Sequence, residues 1–406
     1  MSAKRITTVG VIFGGRSVEH DVSVVTAHQI MRAFDREQYE VVPIYISRDG
    51  RWFSGDPLLD LKNFSDEIVS LSGVRAVILS PGIQHHGLIL NPLAGRFSKS
   101  EIKRIDVAFP AVHGTHGEDG TLQGLLELAD IPYVGCRTLA SAVANDKIMT
   151  KTVLRQHNIP VVDDFHFSRS EWLENPDSLI EQIVRAVGLP LFVKPSTTGS
   201  SIGIGRADNE AMLRASIDIA AHFDRRILVE AAISGHVEIN CSVMGHGSQI
   251  QASVLEQPIS WDEFLTYEEK YLRGSEGMKS AERIIPAPIS ADLTARIQQL
   301  AIDTFRIIDG CGIARIDFLV QPDKGVVYLN EINTMPGSLA FYLWQETGIG
   351  MSELVHRLVE LARDAYAEKR RTSYDYRTDL INLAQMRGLK GVKGAKSGAS
   401  AARSTS

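Results

Sequence analysis

The chain is 406 residues long, 44% apolar and 23% charged, with a formal net charge of −6 at pH 7. That length predicts two to three domains with a sizeable core, and the acidic balance argues against nucleic acid as the main partner. Cys136, Cys241 and Cys311 are odd in number, far apart and without CxxC spacing. This points away from a disulfide framework or a zinc site, toward buried thiols in a reducing compartment.

The start, MSAKRITTVGVIFGG, runs straight into a strand, and nowhere does the unbroken apolar run of a membrane span occur. A cytoplasmic protein without membrane association is expected. ITTVGVIFGG reads as a buried strand ending in a glycine turn, VSVVTAHQIMRAF has helical apolar spacing, and YEVVPIYIS returns as a strand. This β-α-β opening predicts a doubly wound, mostly parallel α/β domain, continued by IDVAFPAVHG and by HGEDGTLQGLLELADIPYVG over residues 1–135. NDKIMTKTVLRQHNIP begins a second unit, residues 136–233, with LPLFVKPS as a strand, a Gly/Ser/Thr loop, the helical DNEAMLRASIDIAAHF and the strand RRILVEAAI: a small α+β lid. Residues 234–368 are strand-rich and end in the helix MSELVHRLVELARDAYAEKR. In the remaining segment, 369–406, the last twenty residues carry five basic side chains and no acid, so a disordered tail is expected. A solvated tail is favoured over an RNA- or surface-binding arm.

The most informative stretch is ARIDFLVQPDKGVVYLNEINTMPG, residues 314–337. Pro322, Asp323, Lys324 and Gly325 supply turn chemistry between two β-rich runs. Pairing Val320 with Val326 sets Arg315 opposite Glu331 and Asp317 opposite Leu329, and gathers Asp317, Glu331 and Asn333 on one face. Three hard oxygen donors there suit Mg2+, which takes one or two protein carboxylates and completes its octahedron with water and nucleotide phosphate; Glu331 can bridge two such ions. KPSTTGSSIGIG, residues 194–205, places Lys194 at a strand end before a loop whose small side chains let backbone N–H groups approach phosphate. It is not a Walker A loop, and FGGRSVEHDVS lacks GxGxxG, so a dinucleotide site is poorly supported.

Taken in order, GGRSVEHDVS, HGTHGEDGTLQG, NDK, VKPSTTGSSIG, YEEKY, ARIDF and NEINTMPG resemble the D-alanine–D-alanine ligases of the ATP-grasp superfamily, from about Val9 to Ala362. The resemblance implies an ATP-grasp fold behind the first α/β domain. It also implies an enzyme that phosphorylates one D-alanine with ATP, then lets the amine of a second attack the acylphosphate, making D-alanyl-D-alanine for peptidoglycan with two Mg2+ or Mn2+ ions. Carried over by motif, Asp317, Glu331 and Asn333 hold the metals, and Lys147, Lys194 and Lys270 contact ATP phosphates. Glu230 meets the adenine amino group, Ala231 to Ile233 line the base, and Glu238 meets the ribose, with one extra residue, His236 or Val237, before it. Glu19 meets the ammonium of the first D-alanine, His113 lies beside its carboxylate, and Ser200 and Tyr271 close a hydrogen-bonded triad with Glu19. Arg315 and the Gly337 N–H form an oxyanion site. The family also implies a homodimer formed through the first domain.

Two departures stand out. Thr198 replaces the acidic residue usual before GSS, and SLAFYLW after NTMPG is shorter than the family segment. Aligning on Trp344 makes Ser338 and Leu339 the counterparts that line the second substrate, with Ser338 on its carboxylate. The shortening leaves the acceptor open between D-alanine, D-serine, D-lactate and another amino acid, although Tyr271 counts against D-lactate. A non-catalytic nucleotide-binding protein is the rival from another class, opposed by the retention of every metal ligand and both phosphate lysines.

Overall fold

The structure is a computed structural model describing residues 5–65, 67–92, 101–259, 283–374, 376 and 378–387. The chain divides into two compact units, Met1–Tyr366 and Ala367–Ser406.

The first sheet comprises β1 (Thr7–Gly14), β2 (Tyr39–Ile46), β3 (Trp52–Ser54), β4 (Arg75–Leu79), β5 (Gly87–Leu90), β6 (Glu101–Arg104) and β7 (Val107–Pro110), in the order β6-β5-β4-β3-β2-β1-β7. Its centre, β2-β1-β7, is parallel. Helix α1 (His20–Ala33) makes the crossover from β1 to β2, and β1 is almost wholly buried, as a parallel strand covered on both faces must be. The four remaining strands pair antiparallel. The expected parallel character is therefore confined to the centre, because only a long crossover can return a chain parallel to itself. Helices α2 (Thr121–Ala129), α3 (Thr138–Asn145) and α4 (Lys147–Gln156) follow; of the strand expected in DIPYVG, only a bridge from Tyr133 to Ala108 forms.

The second sheet holds β8 (Asp164–Ser168), β9 (Leu191–Pro195), β10 (Gly205–Ala207) and β11 (Arg226–Ala231), ordered β10-β9-β11-β8 and antiparallel throughout. Between these strands run α5 (Arg169–Glu174), α6 (Pro176–Ala186) and α7 (Glu210–Phe223). Strand alternation sends Leu191, Val193, Ile227 and Val229 into a core with α6 and α7. Lys194 and Glu230 therefore stand on the opposite face.

The third sheet contains β12 (Val237–His246), β13 (Gln249–Pro258), β14 (Arg283–Ile284), β15 (Gly312–Gln321) and β16 (Val326–Asn333), ordered β14-β13-β12-β15-β16. One face, including Ile239, Cys241, Val243, Ile316, Phe318 and Val320, packs on α8 (Ala291–Ile307). The other is polar. Cross-strand pairing sets Glu256 beside Asn240, Asn240 beside Asp317, and Asp317 beside Glu331 in one row. Beyond β16 come α9 (Phe341–Glu346) and α10 (Met351–Lys369), whose apolar residues join Phe13, Met31 and Phe34 in a core shared with the first sheet. In the second unit, α11 (Leu380–Arg387) gives regular structure to part of the segment expected to be disordered; residues 388–406 lie outside the described residues.

The hairpin register differs from the sequence expectation. Gln321 pairs with Val326 and Val320 with Val327, a slip of one that leaves Pro322–Lys324 as a short 3-10 turn closed by Gly325 at φ 62°. A bulge between Asp317 and Phe318 adds a second slip, so Asp317 faces Glu331 and Arg315 faces Asn333. Two slips restore parity, which is why Asp317, Glu331 and Asn333 still share a face. Leu329 does not share it: it pairs with Phe318 in the core. The bulge is what lets Leu329 face inward and Glu331, two residues on, face the site.

One close approach binds the third sheet to the chain after β7. A Cβ on Gly312, whose φ is 75°, would stand 2.7 Å from the Gly135 Cα. Gly312→Ala is therefore expected to lower unfolding free energy by about 2 to 4 kcal/mol, from backbone overlap plus left-handed strain. Gly325→Ala, with the same sign of φ and nothing within 4 Å, should cost only about 1 kcal/mol in the same urea titration.

Candidate active site

The second sheet presents a buried ionic cluster. Glu230 is 3% exposed, and its two oxygens meet Lys151 at 2.6 Å and Lys194 at 2.5 Å. Burial alone would raise its pKa, but the two ammonium groups outweigh that and hold it at about 2. Lys194 also donates to Asn330 Oδ1 at 3.3 Å. Burial works against its charge, yet Glu230 and Glu331 carry its pKa above the ordinary value. Lys147 donates to the Thr198 carbonyl at 2.9 Å, and burial lowers its pKa despite the pull of Glu331. Glu230, expected to meet an adenine amino group, has both side-chain oxygens engaged by lysines. Lys151 was missed by the sequence reading, although it lies one helical turn after Lys147 on α4.

Asp146, the acid of NDK, fixes this cluster. It caps α4 by accepting from Ile148 N at 3.1 Å and Met149 N at 3.0 Å, and it binds the Ser196 hydroxyl and the Arg226 guanidinium. Lys147 N donates to the Ser196 carbonyl at 2.9 Å, so the lysine is anchored to β9 through its backbone. Ala231 N–H bonds the Asp163 carbonyl, and the extra residue before Glu238 is taken up by a turn in which His236 Nδ1 meets the Ile233 carbonyl at 2.5 Å. Glu238 is exposed beside this edge.

Glu19 lies immediately before α1, where the partial positive charge of a helix N-terminus suits a carboxylate. The Ser200 hydroxyl donates to it, bringing the phosphate loop onto the first domain. Ser200 and Ser201 adopt φ of 53° and 59°, strained for residues with a Cβ. Gly114 must be glycine, since a Cβ there would lie 2.4 Å from Glu19 Oε2. Lys270 and Tyr271 lie outside the described residues.

On the third sheet Arg315 grips Asp317 with two bonds of 2.7 Å, and Asn333 Nδ2 donates to Asp317 at 3.0 Å, which turns its amide oxygen away from that carboxylate. Burial and the charges of Glu331 and Glu238 raise the Asp317 pKa to about 6 in spite of Arg315. Among the described residues no cluster of three or more His, Cys, Asp or Glu is arranged to hold a metal ion. The protein donors are two carboxylates and one amide. Beside them, the 2% exposed Glu256 accepts from Tyr342 at 2.6 Å, Asn240 at 3.0 Å and Arg283 at 3.3 Å, a group the sequence reading did not find.

The segment after β16 turns sharply. Ser338, Leu339 and Ala340 take φ of 49°, 56° and 47° in succession. Packing sustains this tight left-handed turn: Leu339 and Trp344 are fully buried, and Trp344 donates to Ser242 at 2.9 Å. Ser338 is also fully buried, its hydroxyl donating to Gln29 on α1. Both residues expected to face the second substrate are therefore enclosed, Leu339 by core packing and Ser338 by α1. Leu339 N bonds the Pro336 carbonyl at 2.8 Å, and because the 336–337 peptide is trans, the Gly337 N–H points the opposite way.

His113 is 4% exposed and has both nitrogens occupied, Nδ1 at 2.8 Å from the Met335 carbonyl and Nε2 at 3.0 Å from the Thr26 hydroxyl. Burial lowers its pKa, which favours the neutral ring, and both of its nitrogens are engaged within the protein. Glu118, quoted in its motif but given no role, accepts from Gly114 N at 2.9 Å and Met335 N at 2.8 Å, tying the first domain to the segment after β16.

Buried lysines on one antiparallel sheet and carboxylates on the polar face of another define an ATP-grasp protein. Two family profiles match, described as "D-ala D-ala ligase N-terminus" over residues 8–136 and "D-ala D-ala ligase C-terminus" over residues 153–360. A D-alanine–D-alanine ligase of Natranaerobius thermophilus is 40% identical over 91% of this chain and 98% of its own, and one of Geobacillus kaustophilus is 38% identical over 92% and 99%. Among solved structures, the D-alanine–D-alanine ligase of Coxiella burnetii has a TM-score of 0.75 at 31% identity, covering 94% of this chain and all of its own. A D-Ala:D-Ser ligase of Enterococcus faecalis has a TM-score of 0.76 at 30% identity, over 88% of this chain and 100% of its own. The chain belongs to the D-alanine–D-alanine ligase family.

The Glu118 contacts generate a pH prediction. Burial and the Glu19 charge raise its pKa to about 8, against two N–H donors that favour the charged form. A raised folded pKa means the folded protein keeps a proton that the unfolded chain gives up above its ordinary value of 4.5. Stability from this group is thus lost as pH rises from about 4.5 to about 8, by at most about 1.4 kcal/mol per pH unit. Urea denaturation in EDTA across that window should show a steeper fall for the wild type than for Glu118→Gln.

Proposed function

We propose that this protein joins two D-alanines into D-alanyl-D-alanine at the expense of ATP, for peptidoglycan synthesis. The observation that carries the reading is the direct pairing of Asp317 with Glu331, whose charge reaches both Lys147 and Lys194. Triphosphate and carboxylate are both anionic, so a site that brings them together needs cations on one side and metal-binding oxygens on the other. Lys147 and Lys194 supply the first. Glu230 keeps Lys194 charged, while Ala231, Ile233 and Glu238 line the nucleoside end.

Two Mg2+ or Mn2+ ions fit the donor set of Asp317, Glu331 and the Asn333 amide oxygen. The raised Asp317 pKa marks a carboxylate short of positive charge, and few protein ligands leave room for phosphate oxygens. When bound, the ions would neutralise charge on the transferring phosphoryl group. Glu19 meets the ammonium of the first D-alanine, which orients its carboxylate toward the γ-phosphate. A carboxylate oxygen takes the phosphoryl group and ADP leaves. The uncharged amine of the second D-alanine then attacks the acylphosphate carbonyl, the C–O bond to phosphate breaks, and the nitrogen gives up a proton. Arg315 and the Gly337 N–H stabilise the oxyanion between those events. A homodimer in a reducing cytoplasm belongs to the same proposal; the three cysteines are free and buried, and no described helix is long and apolar enough to cross a membrane.

ADP release should depend on D-alanine, with the dipeptide identified by mass. A product containing D-serine in its place would reassign the acceptor, and no amino-acid-dependent release would sink the reading. Arg315→Ala should lower kcat by on the order of 100 to 1000-fold with a smaller effect on the KM for ATP. Glu331→Gln should nearly abolish turnover while circular dichroism stays unchanged.

A further inference from the structure

Met335 and Ser338 stand three residues apart, the spacing at which a β-turn closes with a bond from the second N–H to the first carbonyl. Here side chains from the first domain stand between them. The Met335 carbonyl can only accept, so His113 Nδ1 carries the ring proton, at 2.8 Å. The ring is neutral, so Nε2 accepts and the Thr26 hydroxyl must donate to it, at 3.0 Å. The same hydroxyl oxygen accepts the Ser338 N–H at 3.1 Å. Thr26 is fully buried on α1.

We infer that Thr26 is a positioning residue: with His113 it props the Met335–Ser338 turn open and so aims the Gly337 N–H at the reacting carbonyl. The inference rests on the oxyanion role proposed above for Gly337. The Met335 carbonyl sets the ring tautomer, and the single Thr26 hydroxyl joins that ring to the Ser338 peptide. Without it, two buried groups lose their partner, and the turn regains its own closing bond. That closure rotates the peptides on either side of Gly337. Gln29, one turn further along α1, holds the Ser338 hydroxyl, so the helix grips this residue at two points.

The test compares Thr26→Val, which keeps the shape, Thr26→Ala, and Thr26→Ser, which keeps the hydroxyl, by D-alanine-dependent ADP release per folded molecule. Val and Ala should each lower kcat by about tenfold to hundredfold and leave the KM for ATP within about twofold, while Ser stays near the wild type. Wild-type kcat in the Val variant, or a Ser variant as impaired as Val, overturns the inference. The wild type alone supplies a second measurement, which does not depend on any variant folding: ring 15N shifts of His113 at neutral pH should show a neutral ring protonated at Nδ1. An Nε2-protonated or doubly protonated ring also overturns it. If the wild type releases no ADP with D-alanine, the functional reading fails, and the ring spectrum still decides the hydrogen-bond assignment.

Discussion

A charge removed from water must be met by another charge or by aimed donors, and the whole site is organised by that requirement. Glu230 is the clearest case, since a buried carboxylate on β11 is tenable only with Lys151 and Lys194 on it. Asp317 depends in the same way on Arg315. The two clusters differ in balance: Glu230 has more positive charge than it needs, whereas Asp317, with Glu331 and Glu238 nearby, has less. Anionic phosphate suits the first side and metal cations suit the second. Polarity across the cleft follows from counting ionic partners, before any ligand is considered.

Helix α1 gives that cleft its dimensions. Along one side of it Glu19 receives Ser200, Ser23 receives the Gly14 N–H and donates to the Ala111 carbonyl, Thr26 joins His113 to Ser338, and Gln29 holds the Ser338 hydroxyl. Spacings of three and four residues keep these groups on one face. A single rigid element thus touches the phosphate loop at its start and the segment after β16 at its end. The separation of these two attachments is set by helix pitch rather than by loops.

Much of this was legible in the sequence because motifs with unusual chemistry leave unusual spacing. The β-α-β start, the lid strands, the Lys194 loop and the hairpin carboxylates all announce themselves in that way. Register did not. Turn residues alone cannot say whether Pro322–Gly325 closes on Val320 or on Gln321, and nothing local marks Asn330 as the extra residue of a bulge. Lys151, Glu118, Thr26 and Gln29 were passed over for a different reason. Each is an ordinary residue in an ordinary helix or loop, and its importance lies in a partner far along the chain, as with Lys151 and Glu230 or Glu118 and Met335. The enclosed Ser338 shows the converse: the motif located the residue, but its spacing could not show that the hydroxyl would face Gln29 on α1.

The bulge in β16 carries a consequence for how this family can vary. Side chains on a strand alternate, so the stretch between Leu329 and Glu331 behaves like a reading frame whose phase decides which residues are core and which are chemistry. Substitutions there are local errors. Insertion or loss of one residue is a frameshift, which would send Glu331 and Asn333 into the apolar layer and bring Ile332 out. Length is therefore more tightly constrained at this point than identity.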